Sequence, residues 1–209
     1  MTIAKADILT FADAAMGNTE SGSTYSGSDL DVPIHLALQD LAKMHCLKAE
    51  DTAQSLTSSS YYLAYPSAAL STEQAIISVV LTDASSVRGA PLRTIPGGWY
   101  EYNRLMQNVS SATRGVPKWR VCQDRKIYLY PAPNDTYTAS IWHFKRHQAL
   151  ASGVEFPDEY DMAVKFGTLY YLHLLNKDTE GLALWGPQYA QERERMRLQI
   201  PRDLGMIGS

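Results

Sequence analysis

A chain of 209 residues suits one large domain or two small ones, and a fold of that size buries about 70% of its unfolded surface without needing disulfide or metal staples. Its 45% hydrophobic and 20% charged content excludes disorder over most of the chain, and a formal net charge of -3 supplies no long-range field to gather DNA or anionic lipid. Thirteen Tyr and four Trp are the compositional excess; such rings serve a core or an interface, since each buries much area and keeps a polar tip for a partner.

The N-terminus carries Asp7 and Asp13 where a signal peptide would need an apolar core, so no leader is expected. No stretch approaches the ~18 consecutive apolar residues of a membrane span, so a soluble protein is expected. Residues 4–16 predict a short helix with Ile8, Phe11, Ala12 and Ala15 on one face, stopping at Gly17-Asn18. Asn18 to Ser28 is Gly, Ser and Thr around a single large side chain, Tyr25, and reads as a mobile connector. A second helix is expected over 30–47, with Ser28 or Asp29 as N-cap, Pro33 in its first turn, and Ile34, Leu38, Leu41 and Met44 or Cys46 facing inward. Cys46 and Cys122 form no CxxC or closely spaced ligand set, and buried free thiols made in a reducing cytoplasm are expected.

From 52 to 150 the pattern changes to strands and turns. Ser60 to Pro66 and Gln74 to Thr82 are rich in β-branched and aromatic residues, although period alone leaves the second open to a helix. Gly89-Ala-Pro and Ile95-Pro-Gly-Gly mark turns, and Trp99, Tyr102 and Met106 are spaced for a short helix. A hairpin follows: Trp119 to Cys122, a turn at Gln123-Asp124-Arg125, then Lys126 to Tyr130 and a Pro131-Ala-Pro133 stop. Thr136 to Phe144 reads as a strand. Phe156-Pro157-Asp158-Glu159 has the proline and acids of a helix start, and Ala163, Phe166, Gly167, Tyr170 and Leu174 carry that helix to Asn176. A last helix covers 179–199, with Trp185, Tyr189 and Met196 on one side and Gly186-Pro187 as a point of kinking. The order gives an α+β fold: a helical bundle from both chain ends, 1–51 and 151–209, with an inserted, largely antiparallel β module over 52–150.

Chemistry-bearing motifs are absent or explained by structure. His143 and His147 have H-x-x-x-H spacing, but on a strand rising ~3.3 Å per residue two such rings stand about 13 Å apart and cannot share an ion. Asp158, Glu159 and Asp161 are the densest carboxylates, and a helix first turn accounts for them. No G-x-S-x-G, G-x-x-x-x-G-K-[ST] or G-x-G-x-x-G occurs, so hydrolase, NTPase and dinucleotide enzymes lose their usual signals. Lys118, Arg120, Arg125, Lys126, Lys145 and Arg146 interleave with Trp119, Tyr128, Tyr130, Trp142 and Phe144; an ordinary hairpin with solvated charges is expected in preference to a nucleic-acid sheet. No catalytic residue, metal or cofactor is expected.

The succession from Trp119-Arg-Val-Cys through Lys126 to Pro133, the strand Ala139 to Arg146, Phe156-Pro157-Asp-Glu-Tyr160, a Tyr- and Leu-rich helix, a break at Lys177-Asp178 and a charged amphipathic helix resembles the head-to-tail adaptor (connector) family of tailed bacteriophages. The resemblance covers the last 80 or so residues well and the N-terminal helices more loosely. Segment 52–98 has no match in it. The resemblance implies a portal-proximal ring of twelve copies in the virion neck, made in the host cytoplasm, with the portal protein on one side and a tail or nozzle protein on the other. It also implies passive DNA passage through the lumen, no membrane and no catalysis. On that reading the last helix is an assembly surface, with Trp185 and Tyr189 as anchors and Arg193 and Arg197 as donors to a neighbour, and Tyr25 orders against an adjoining subunit. The rivals are a carbohydrate- or peptide-binding β module, and a small hydrolase using Asp158 or Glu159.

Overall fold

The computed structural model describes residues 2–16, 29–44, 46–58, 60–107, 114–147 and 154–203. In chain order the elements are β1 (Thr2–Ile3), α1 (Lys5–Ala15), α2 (Asp31–Ala42), β2 (Lys48–Leu56), β3 (Tyr62–Ala64), β4 (Ile76–Asp83) and β5 (Arg93–Thr94). There follow α3 (Gly98–Met106), β6 (Arg114–Gly115), β7 (Trp119–Gln123), β8 (Lys126–Tyr130), β9 (Ala132–Pro133), β10 (Tyr137–Phe144), β11 (Val154–Pro157), α4 (Asp161–Leu175) and α5 (Thr179–Asp203). The fold is α+β, with helices at both ends and β structure between. By contacts the chain forms two compact units, Met1–Leu47 with Arg146–Ser209, and Lys48–Lys145.

In the helical unit α4 is the central element. Its sequence is apolar on nearly every side, and a helix of that kind is stable only when neighbours cover it all round. Helices α1, α2 and α5 do so over most of its length, leaving Leu174 and Leu175 exposed at its end. Ala163, Val164, Gly167, Leu169 and Leu172 are buried, and the Thr168 hydroxyl is satisfied by donating to the Val164 carbonyl at 2.8 Å. From α2, Ile34, Leu38 and Leu41 are fully enclosed, each worth about 1.5–3 kcal/mol over an exposed position. Phe11 of α1 meets Phe166 edge-on at 5.8 Å, and an ion pair of Lys5 with Asp31 ties α1 to α2.

Gly167 marks the tightest approach. A Cβ there would lie 2.8 Å from Cε2 of Tyr189 on α5 and 3.0 Å from Cβ of Ala37 on α2, so only glycine lets three helices close at this level.

Several boundaries differ from expectation: β2 already begins at Lys48 where strands were expected from 52, and α5 runs on to Asp203. Helix α2 ends at Ala42 and starts at an N-cap Leu30 that makes no side-chain cap bond, with Pro33 in the first turn as expected. The helix start read at Phe156 to Glu159 is present, with Pro157 as N-cap and Asp158 and Glu159 in the first turn, but Phe156 and Pro157 themselves are extended because β11 pairs antiparallel with β1. A single 3₁₀ turn, Asp158–Tyr160, then leads into α4 at Asp161.

In the β unit, β10 is the central strand of an antiparallel sheet ordered β2-β10-β4. Tyr137, Ala139, Ile141 and His143 turn inward while Thr138 and Trp142 turn outward, the two-residue period expected of a half-buried strand. The segment that period left open, Gln74 to Thr82, is a short 3₁₀ turn and then strand β4. A second sheet has the order β3-β8-β7-β5, and its β7–β8 hairpin turns on Asp124 and Arg125, at φ 50° and 57°. Positive φ at both central residues gives the turn the twist that matches the strands. Helix α3 lies on this sheet: the Trp99 and Tyr102 rings sit 4.7 and 5.4 Å from that of Tyr128, over Val121.

Arg120, counted above among solvated charges, is buried. Its Nη2 donates to the carbonyls of Ile76 and Ile77 at 3.1 and 2.9 Å, so the guanidinium holds one end of β4.

Candidate assembly site

Helix α5 presents two unlike faces. Leu182, Trp185, Tyr189, Glu192, Met196, Gln199 and Ile200 recur at helical spacing and, with Gly181 and Gly186, are the covered or half-covered positions. The helix runs unbroken from Thr179 to Asp203 through Gly186-Pro187. Its start is fixed by Asp178, whose Oδ1 accepts from the Glu180 and Gly181 amides at 3.1 Å each, while Oδ2 lies 2.7 Å from Nδ1 of the buried His173. The Gly181 amide and then His173 hold the Asp178 carboxyl below the usual carboxylate range. A methyl on Gly181 would overlap the His173 ring, so glycine is required for this cap.

The residues singled out on α5 separate in the structure. Tyr189 is only 4% exposed. Its ring stacks on Tyr170 at 5.5 Å and meets Tyr171 edge-on, and its hydroxyl donates to Oδ2 of Asp40 on α2 at 2.8 Å. Burial, then the Asp40 carboxylate, push that phenol far above its ordinary pKa. Trp185 is half-buried and stacks on Phe166 at 5.9 Å. Arg193 has its guanidinium 3.5 Å from Asp40 and 5.7 Å from the centre of the Tyr189 ring, so it joins the same network from the solvent side. Arg197 is exposed and bound one turn back to Glu194 through Nε and Nη2, at 2.9 and 2.8 Å. Glu194 and Arg197 hold each other charged, the carboxyl shifted down and the guanidinium up. Tyr25 lies outside the described residues.

Sequence reasoning passed over two residues on the solvent side. Leu184 and Leu198 are 59% and 63% exposed, and at fourteen residues apart they return to nearly the same side of α5. Their signal was leucine at positions out of phase with the Trp185–Tyr189–Met196 stripe.

A protein-family model described as SU10 adaptor protein matches residues 4–206, nearly the whole chain. The chain belongs to the SU10 adaptor protein family. It is therefore a phage adaptor, a structural component. No curated protein matches the adaptor. Among its described residues no cluster of His, Cys, Asp and Glu could hold a metal ion, and no helix is long and apolar enough to cross a membrane. His143 lies on strand β10 with Nδ1 3.3 Å from the Ile141 carbonyl, and Asp161 is engaged by Lys165 at 2.6 Å.

Proposed function

We propose that this adaptor is a ring subunit of the virion neck that joins the portal protein to a tail or nozzle protein, in twelve copies around the DNA channel, and that it performs no catalysis. The observation that carries this reading is the family match over residues 4–206. The exposed face of α5 supports it. Trp185 and Tyr189 fix the helix to its own subunit, Arg193 braces it at the edge, and Leu184, Arg197 and Leu198 are left pointing outward. The formal charge of -3 fits a channel through which DNA passes without being held, because a lumen that neutralised many phosphates would bind DNA through counterion release. We place Tyr25 at the contact between adjoining subunits, and synthesis in the host cytoplasm before assembly.

The test is electron microscopy of the purified chain with and without the portal protein of the same phage, repeated with Arg197→Glu combined with Leu198→Asp. Rings stacked on the portal are expected for the native chain. The double variant should lose them while its thermal midpoint falls by no more than about 4 °C, because Arg197 has only its exposed pair with Glu194 to lose and surface changes fall within about ±0.5 kcal/mol each. A native chain that forms no ring and joins no portal overturns the reading. Normal stacking by the double variant removes α5 from it.

A further inference from the structure

The β unit has a cleft that the adaptor role does not assign. It measures about 670 Å³ and lies in a fork of the chain. Where β5 runs parallel to β7, the Arg93 amide donates to the Lys118 carbonyl at 3.0 Å. Toward the N-terminal side the two segments part. Residues 87–92 turn away to hydrogen-bond along the outer edge of β4, through Val87 to Asp83, Gly89 to Leu81 and Leu92 to Val79. On the other side Arg114–Gly115 pairs with Ala132–Pro133. The floor between them is apolar, made of Leu81, Leu92, Trp119 and Tyr137. Val87 and Val116 stand at its rim, 62% and 56% exposed.

Charge is sorted along the fork. Arg93 and Lys118 flank its closed end, and Asp83 and Asp135 its open end, beside Tyr137. Burial and then these two carboxylates raise the Tyr137 phenol. Among the described residues neither base meets an acid, and neither acid meets a base. The acids are held in place by main chain: Asp83 accepts from the Ser85 and Val87 amides at 2.9 Å, and Asp135 from Thr136 at 2.7 Å. An apolar slot with rigid acids at one end and unneutralised bases at the other is complementary to an extended segment with the opposite charges around an apolar middle.

We propose that this cleft docks an extended peptide segment of a partner protein, apolar at its centre, with a carboxylate over Arg93 and Lys118 and a cation over Asp83 and Asp135. The choice of a protein occupant rests on the adaptor reading. The binding itself is measured on the isolated subunit, so it can fail while rings still form, or hold while they do not.

The probes are three blocked pentapeptides, each about 17 Å long when extended: Glu-Val-Pro-Val-Lys, Glu-Val-Pro-Val-Glu and Lys-Val-Pro-Val-Lys. The readout is the Trp119 indole NMR signal, assigned with Trp119→Phe. The mixed-charge peptide should give a saturable shift, and the like-charged ones should bind about fivefold more weakly for each mismatched end. In Arg93→Glu with Lys118→Glu, two exposed positions, the preference should move to the Lys/Lys peptide. The proposal is overturned by no saturable shift with any peptide, or by equal binding of all three. A concentration-dependent Trp119 shift without peptide, abolished by Val116→Asp, would give the cleft to a second copy and overturn it equally.

Discussion

Gly167→Ala is the sharpest test of how the helical unit closes, because two physical effects predict opposite signs. Gly167 sits inside α4, where alanine is favoured over glycine by about 0.8–1 kcal/mol on helix propensity alone. Against this, the new methyl would stand 2.8 Å from Cε2 and 3.2 Å from Cζ of Tyr189, and 3.0 Å from Cβ of Ala37. The Tyr189 ring has little room to retreat, since Tyr170 and Tyr171 flank it and Asp40 holds its hydroxyl. Overpacking of this kind costs about 1–3 kcal/mol, and tearing the Asp40 bond adds about 1 kcal/mol more. The balance is a net loss of about 1–3 kcal/mol, or some 2–12 °C in Tm for a chain this long. Urea unfolding followed by far-UV circular dichroism measures it. Ala37→Gly removes one of the two clashing groups, so the double variant should be more stable than the two single losses added together. A Gly167→Ala variant as stable as the native chain would refute the close approach of α2, α4 and α5.

Asp40→Ala should cost about 1–3 kcal/mol in the same assay, because it leaves the Tyr189 hydroxyl buried without an acceptor; an unchanged midpoint would show that the hydroxyl finds water instead. Burial pushes the Cys46 thiol up to about 12 and also raises that of Cys122, so neither should react with iodoacetamide at neutral pH until the chain is unfolded, and rapid labelling of native protein would contradict this. Asp178 has a depressed folded pKa, so its contribution to stability is fully present above the unfolded-state carboxylate pKa of about 3.9 and is lost as pH falls through the lower folded value. Asp178→Asn should flatten the acid limb of a Tm–pH curve, and an unaltered limb would remove the cap from the account.

The parts of this fold that were legible in the sequence are those whose pattern is local. The β7–β8 hairpin and β10 follow from alternation over a few residues, and α1, α3 and α5 from helical spacing. What was missed depends on partners far along the chain. Phe156-Pro157 carries the chemistry of a helix start, yet its backbone is claimed by Thr2 and Ile3, a pairing that no local signal announces. Arg120 reads as a surface base among Lys118 and Trp119, while the carbonyls it satisfies belong to residues 76 and 77. The Gln74 to Thr82 run is apolar without clear alternation because Val79, Val80 and Leu81 are all buried, so both faces of that strand are covered and its period is erased.

The same limit applies to the assembly site and decides which residues should be altered to test it. An apolar stripe at i, i+4 shows that a helix buries one face, but not whether its own subunit or another molecule covers that face. In α5 the stripe through Trp185 and Tyr189 is used up within the subunit, and Arg193 leans onto Asp40 at the edge of that contact. Reversing Arg193 would therefore set two carboxylates side by side and weaken the fold itself, and any assembly defect would be uninterpretable. Arg197, one turn further on, has only Glu194 to lose and stands beside the exposed Leu198. If α5 takes part in assembly as proposed, the residues to alter are thus those out of phase with the stripe. Their defect, unlike that of the stripe, can appear without a change in the stability of the free subunit.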